Sequence, residues 1–156
     1  MFLVTKTLYL DEETTIAIED AGGLKGLLFG KELKARALVR SDVGVDLKKM
    51  TEENINIDSS KNIITIKLPE ATILTSGISG NVEVESSRGI WTSVKELFTD
   101  EGNDDYNRAV NELVSNAEKA VQARMDVFDS ARADTVKLIS WMAGQLAPGY
   151  EIEIIR

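Results

Sequence analysis

The clearest structural signal in the chain lies in residues 54–69, which read NINIDSSKNIITIKLP. Isoleucines alternate with polar residues in Asn54–Asp58, and the alternation resumes in Ile63–Leu68 after the polar stretch Ser59–Asn62. A period of two is typical of a strand with one buried face. Proline has no N–H to donate to a strand ladder. The sequence therefore predicts a β-hairpin that ends at Pro69.

Further strands are predicted on both sides of this hairpin, because β-branched and aromatic residues are concentrated there. The predicted strands are Phe2–Leu10 and Thr14–Glu19, separated by the polar Asp11–Glu13, then Leu33–Arg40 and Asn81–Glu85, with Leu24–Phe29 as a strand or a tight loop. The residues predicted to face inward are Leu33, Ala35, Ala37 and Val39 in one strand, and Val82 and Val84 in another.

The apolar spacing then changes from a strand period to a helix period. Ser93–Glu96 fits a capping box that opens a short helix through Phe98. From Asp104 to about Ala143 there is no proline or glycine, and apolar residues recur at helical spacing. One continuous helix is predicted there, about 60 Å long if unbroken.

The order of these elements predicts an α+β fold in one domain, residues 1–156. Gly144 and the pair Pro148–Gly149 end the helical region. Residues 1–90 are strand-rich and antiparallel, residues 93–144 are helical, and residues 150–155 form a short final strand. A chain of 156 residues has the usual size of a single domain.

Composition excludes several function classes. The chain has no histidine and no cysteine, which removes Ser-His-Asp and Cys-His catalysis and the usual zinc sites. The net charge is −8 with no strong basic cluster, which argues against nucleic-acid binding. No apolar run approaches the roughly 20 residues of a membrane span. We assign no catalytic residue, no metal ligand and no cofactor.

Three segments resemble functional motifs only loosely. Gly77–Asn81 lacks the last glycine of a nucleophile elbow, so a polar turn is the simpler interpretation. Gly22–Lys31 lacks the glycine spacing of a phosphate loop and is interpreted as a flexible connection. The acidic residues of 100–105 do not have the spacing of an EF-hand and are interpreted as helix-capping and solvated residues.

The apolar stripe of the predicted helix has two interpretations. It packs on the sheet of its own domain, or it extends beyond what a small domain can cover and leaves part of its length for a partner or a second copy. In the second case the candidate interface residues are Val110, Leu113, Ala117, Val121 and Phe128.

Several motifs are similar to a known family. They are KARALVR at residues 34–40, VGVDLKKM at residues 43–50, IITIKLPEA at residues 63–71, and DYN at residues 105–107. Together they resemble the bacterial family designated domain of unknown function 4230, from about Lys34 to the C-terminus. The resemblance implies a short N-terminal membrane anchor ahead of this domain, and it carries over no activity and no catalytic residue.

Gly44, Asp46 and Pro69 match these motifs, and each has a structural interpretation: a turn glycine, a turn or cap carboxylate, and a strand terminator. The leading hypothesis is a non-enzymatic interaction or scaffold module, tethered to a membrane in the full-length protein through a segment absent from this chain. The alternative is a small-ligand-binding protein or a carboxylate-dependent enzyme with a cleft between sheet and helix.

Overall fold

The computed structural model of the chain describes residues 1–18, 32–85 and 104–155, together with the backbone of residues 91–93. The strands are β1 (Phe2–Ala17), β2 (Glu32–Asp46), β3 (Ile55–Asp58), β4 (Ile63–Lys67), β5 (Thr72–Ile78), β6 (Glu83–Glu85), β7 (Trp91–Ser93) and β8 (Glu151–Ile155), and the helices are α1 (Asp104–Gln122) and α2 (Met125–Leu146). The predicted α+β class, with a strand-rich N-terminal part and a short final strand, is confirmed.

The chain divides into two compact units. The terminal unit consists of Met1–Leu8, Asp42–Thr75 and Gln122–Arg156, and the central unit consists of Tyr9–Ser41 and Ser76–Val121. Strands β1, β2 and β5 each contribute residues to both units. α1 lies in the central unit up to Val121, and α2 lies in the terminal unit.

The core of the central unit forms between the inner face of β2, the strand β6 and the helix α1. β6 pairs antiparallel with β2, which places Val84 opposite Ala35. The buried cluster contains Leu33, Ala35, Ala37 and Val39 of β2, Val82 and Val84 at β6, and Ala109, Leu113 and Ala117 of α1. Alternation in the sequence predicted the strand members of this core, and that prediction is confirmed.

β5 was not predicted from the sequence. It pairs with β2, and just beyond its end the Ser79 N–H donates to the Leu38 carbonyl at 2.7 Å. Residues 72–78 read TILTSGI, without a sustained period of two and with a Ser-Gly pair that favours turns. Tertiary pairing overrides that local preference here.

In the terminal unit the predicted hairpin is confirmed. β3 pairs antiparallel with β4, and β8 joins the other side of β4 in parallel, so the sheet order is β3-β4-β8. Residues directly opposite each other point to the same face of a sheet. One face of this sheet therefore carries six isoleucines: Ile55 and Ile57 of β3, Ile64 and Ile66 of β4, and Ile152 and Ile154 of β8.

Gly44 has a different role from the turn glycine predicted for it. It lies inside β2, which continues to Asp46, and a Cβ built on it would overlap the main-chain carbonyl of Leu3 in β1. Only glycine permits this approach of two backbones. The cap interpretation of Asp46 is confirmed, because its carboxylate accepts from the Lys48 N–H at 3.0 Å and caps the 3-10 turn Leu47–Lys49.

The predicted single helix is corrected to two, α1 and α2. The break falls at Ala123–Arg124, where Arg124 leaves helical geometry with φ −101° and ψ 78°. The buried positions of α1 recur every four residues up to Val121, but the next buried position is Val127. In an unbroken helix these two side chains would point about 120° away from each other. The apolar stripe therefore changes phase at a break that contains no glycine and no proline.

Other strand predictions differ at their boundaries. β1 is one strand and runs through the polar residues Asp11–Glu13, where two strands were predicted. Ser93, predicted to open a helix, ends β7. The predicted elements Leu24–Phe29 and the remainder of the helix through Phe98 lie outside the described residues.

Candidate functional site

The candidate interface residues of α1 are mostly core residues. Leu113, Ala117 and Val121 have no surface accessible to solvent, and Val110 packs partly buried against the core of the central unit. Phe128 is half-buried in α2, in the terminal unit. Because this chain itself covers three of the five, a partner cannot reach those three side chains while the fold is intact.

A different apolar surface is exposed on the C-terminal half of α2. Its residues are Leu138, Trp141, Met142 and Leu146, which we call the α2 patch. Their spacing of three, four and eight residues places them on one stripe of the helix. Trp141 is 65% exposed and Leu146 is 84% exposed. Exposed apolar residues grouped on one stripe mark an interaction site more often than isolated ones do.

The α2 patch carries no charge. Between Lys137 and Glu151 the chain has no Asp, Glu, Lys or Arg, although 28% of all its residues are charged. Taking about 150–250 Å² for a large apolar side chain when free, the exposed fractions leave roughly 400 Å² of apolar surface in contact with water. The patch is therefore uncharged and as large as the main apolar patch of a typical monomer.

The first half of α2 is anchored in the terminal unit. Val127, Ala131 and Thr135 are buried, at a spacing of four residues. The Thr5 hydroxyl of β1 donates to the Ala131 carbonyl at 2.9 Å, and the Lys6 ammonium lies 2.7 Å from an Asp134 oxygen. The hydrogen bond from Lys6 is the main reason why the pKa of Asp134 is lowered. These contacts hold the first half of α2 against β1, and the α2 patch continues the same stripe of the helix beyond them.

The central unit contains a cavity of about 310 Å³ between sheet and helix. Its lining residues are Ile78, Gly80, Asn81, Val82, Tyr106, Asn107 and Val110. The lining is apolar with two amides and one phenol, and it includes no carboxylate. This composition suits a small neutral ligand, because a few polar groups set in an apolar wall are typical of such pockets. It does not suit hydrolysis by a carboxylate pair.

A smaller concavity of about 200 Å³ lies at the start of α2, and its lining includes Glu70, Asp129 and Arg132. Both carboxylates are exposed. Catalytic acids of two-carboxylate hydrolases sit in desolvated positions, because loss of water favours the protonated form. This concavity therefore offers no support for that chemistry.

Asp42 is a buried carboxylate of the terminal unit, 8% exposed. One of its oxygens accepts from the Thr7 hydroxyl at 2.7 Å and the other from the Thr75 hydroxyl at 3.3 Å. Thr7 is in β1 and Thr75 is in β5, on either side of β2. The carboxylate thus links three strands, which is a structural role for a buried polar group.

The described residues offer neither a metal site of carboxylates nor a membrane-spanning helix. Residues 1–18, 32–85 and 104–155 contain no cluster of three or more Asp or Glu side chains placed to hold a metal ion. In the same part of the chain, neither helix combines the length and the hydropathy that crossing a membrane requires.

Comparison with known families identifies the chain. The family model described as "Protein of unknown function (DUF4230)" matches residues 2–154. The chain belongs to this family. The match confirms the resemblance carried by the motifs and extends it through β1, ahead of Lys34 where those motifs begin. No curated protein and no solved structure matches the chain.

Sequence reasoning did not select the α2 patch. The predicted stripe is a single series along one helix, and that series does not separate exposed residues from core residues. The shift of phase between Val121 and Val127 indicates the helix break but not the patch, because the patch has the same phase as the buried residues of α2. The signal that could have found the patch is the charge-free stretch that follows Lys137.

Proposed function

We propose that this chain is a non-enzymatic interaction module that self-associates through the α2 patch. The observation that supports the proposal is the exposure of Trp141 and Leu146 on an uncharged stripe, which continues the buried stripe of the first half of the helix. Tryptophan is the residue type most enriched among binding hot spots. A side chain of this size facing water costs solvation free energy that burial against a partner recovers.

A second copy of the chain fits the area and the charge of this patch. A standard interface takes about 800 Å² from each partner, of which about 56–65% is apolar. The roughly 400 Å² of apolar surface in the patch is close to that share. Two copies with a net charge of −8 each repel over the rest of their surfaces. Contact through the charge-free patch brings no two carboxylates together, and it fits an acidic chain better than an anionic membrane surface does.

An N-terminal membrane anchor, which the family resemblance implies for the full-length protein, is part of the same proposal. Copies held at one membrane surface have a raised effective concentration. A contact of moderate affinity is then sufficient for assembly. The role of the module is accordingly that of a scaffold, since self-association requires no bound cofactor.

The test is the absolute mass in solution, measured by light scattering at protein concentrations from about 1 μM to about 1 mM. This range covers the dissociation constants of moderate and weak contacts. We expect the mass of the native chain to rise with concentration and that of Trp141→Glu to rise much less. Tyr9→Glu is the matched control, because Tyr9 is an exposed aromatic residue of the central unit. Circular dichroism checks that both variants are folded.

The result that overturns this proposal is a self-association that Trp141→Glu leaves unchanged, or a native chain that stays monomeric up to the highest concentration. In the monomeric case the patch would belong to a different protein partner, and self-association would be wrong as its function.

The cavity of the central unit supports a second candidate, binding of a small neutral ligand. Its volume of about 310 Å³ is within the range of small-molecule sites. A panel of neutral amide and alcohol fragments tests it by thermal shift, with Asn107→Leu as the comparison. Stabilisation of the native chain that the variant loses supports the site, and no stabilisation by any fragment contradicts it.

A further inference from the structure

A second feature of the terminal unit is independent of the α2 patch: the outer edge of the sheet β3-β4-β8. β3 has β4 on one side and no strand of the described chain on the other. Its two isoleucines are unusually open, with Ile55 46% and Ile57 57% exposed. They lie at the end of the six-isoleucine face, where the next strand of a wider sheet would cover them.

Natural edge strands are protected against pairing by charges, prolines, bulges or a covering segment. Within β3 the only charged residue is Asp58, at its last position. The Asp58 carboxylate is turned toward the hairpin loop, where it accepts from the Ser60 hydroxyl at 2.6 Å and from the Ser60 N–H at 3.0 Å. The edge of β3 is short, and the Ile55 N–H already donates to the Glu52 carbonyl. From Ile55 to Ile57, however, the edge carries no charge and no proline.

We propose that β3 pairs antiparallel with β3 of a second copy and joins two sheets into one of six strands. In the register centred on Asn56, Ile55 of each copy faces Ile57 of the other, and Asn56 faces its own equivalent. Asp58 then faces Asn54, so no two carboxylates oppose each other. Cross-strand pairs of β-branched residues stabilise a sheet, and this register supplies two of them.

This contact is isologous and uses a different element from the α2 patch. Two distinct isologous interfaces on one chain do not close into a dimer. Copies that alternate between α2 contacts and β3 contacts assemble beyond a dimer. The product is a closed tetramer if the two two-fold axes are perpendicular and meet, and an open row if they do not. The β3 contact on its own rests only on the exposed edge. The larger assembly rests on the proposed function as well.

The first experiment separates the two contacts by light scattering at high concentration. The native chain is expected to reach more than twice the mass of one chain. The single variants Trp141→Glu and Ile57→Lys are each expected to reach the mass of a dimer and no more. The double variant is expected to be a monomer. The matched control is Ile155→Lys, because Ile155 is an isoleucine of similar exposure on the opposite edge strand β8. This control is expected to behave as the native chain does.

The second experiment tests the register directly. The chain has no cysteine, so a single introduced cysteine reports only on its own position. In the Trp141→Glu background, Asn56→Cys is expected to form a disulfide-linked dimer under mild oxidation at least tenfold faster than Glu153→Cys. Glu153 is on the same sheet face as Asn56 through Thr65, is exposed, and lies on the other edge. Residues opposite each other in a sheet have the Cα separation that a disulfide requires.

The outcomes distinguish the two proposals. Equal oxidation rates at residues 56 and 153, together with a monomeric Trp141→Glu chain, would overturn the β3 contact and leave the α2 contact standing. A native dimer that Ile57→Lys dissolves and Trp141→Glu does not would support the β3 contact and overturn the proposed function.

Discussion

The two helices, nearly equal in length, differ in how their apolar residues are used. α1 buries Ala109, Leu113, Ala117 and Val121 completely, and these positions extend to its last turn. α2 buries Val127, Ala131 and Thr135 in its first half, adds polar contacts to β1, and then exposes Trp141 and Leu146. An apolar stripe at helical spacing is therefore buried in α1 and partly exposed in α2, so the stripe alone does not indicate burial.

The sharpest test of this contrast is a pair of leucine truncations, one in each helix. We expect Leu113→Ala to lower the free energy of unfolding by about 2–5 kcal/mol, because it leaves a cavity in a fully buried position. Leu146→Ala removes an 84% exposed side chain, and we expect a change within about 0.5 kcal/mol. Urea unfolding at low protein concentration measures both without a contribution from self-association.

Equal losses of stability for the two leucines would contradict the contrast. A large loss at Leu146 alone would mean that its side chain is covered in the isolated chain. In that case the α2 patch would be core, and the proposal built on it would be wrong.

The fold was predictable where the signal is local. The hairpin and the buried face of β2 follow from alternation alone, since Leu33, Ala35, Ala37 and Val39 can satisfy only one register. The parallel addition of β8 to β4 was not predictable, because about 85 residues separate the paired strands and no local pattern specifies that register. The close approach at Gly44 was missed for the same reason, since the space is occupied by Leu3 of another strand.

The helix break and the exposed patch were not predictable with the same ease. Helix stop signals are glycine and proline, and neither occurs at Ala123–Arg124. The candidate site was selected by apolarity, and apolarity is shared by Leu113 in the core and Leu146 in water. Only burial separates them, and burial depends on the whole fold.

A smaller effect is expected from the polar anchor of α2. Thr5→Val keeps the shape of the side chain and removes the donor to the Ala131 carbonyl. That carbonyl still accepts from the Thr135 hydroxyl at 2.9 Å, so no acceptor is left buried and unsatisfied. We expect a loss of about 1 kcal/mol, the net value of one hydrogen bond. Thr15→Val, an exposed position of the same strand, is the control in the same urea titration.

The smallest effect concerns the Lys6–Asp134 pair and its dependence on pH. The pKa of Asp134 is lowered in the folded chain, first by the hydrogen bond from Lys6. A carboxyl whose pKa is depressed by folding stabilises the fold above its unfolded pKa, and that contribution disappears as the pH falls through the folded pKa. In Lys6→Met the free energy of unfolding should therefore depend less on pH in the acid range where Asp134 titrates. The contacts of α1 should not change.

The Asp134 carboxyl titration by carbon NMR measures this directly. In Lys6→Met its pKa should rise toward the ordinary aspartate value, but not fully, because Lys137 remains 3.7 Å away. Lys119→Met, an exposed lysine of α1, should leave the titration unchanged. Because both partners of the pair are partly exposed, added salt should reduce the difference between native and variant. An unchanged Asp134 titration in Lys6→Met would show that the carboxylate is held by other groups, and the polar anchor of α2 would then be the Thr5 hydrogen bond alone.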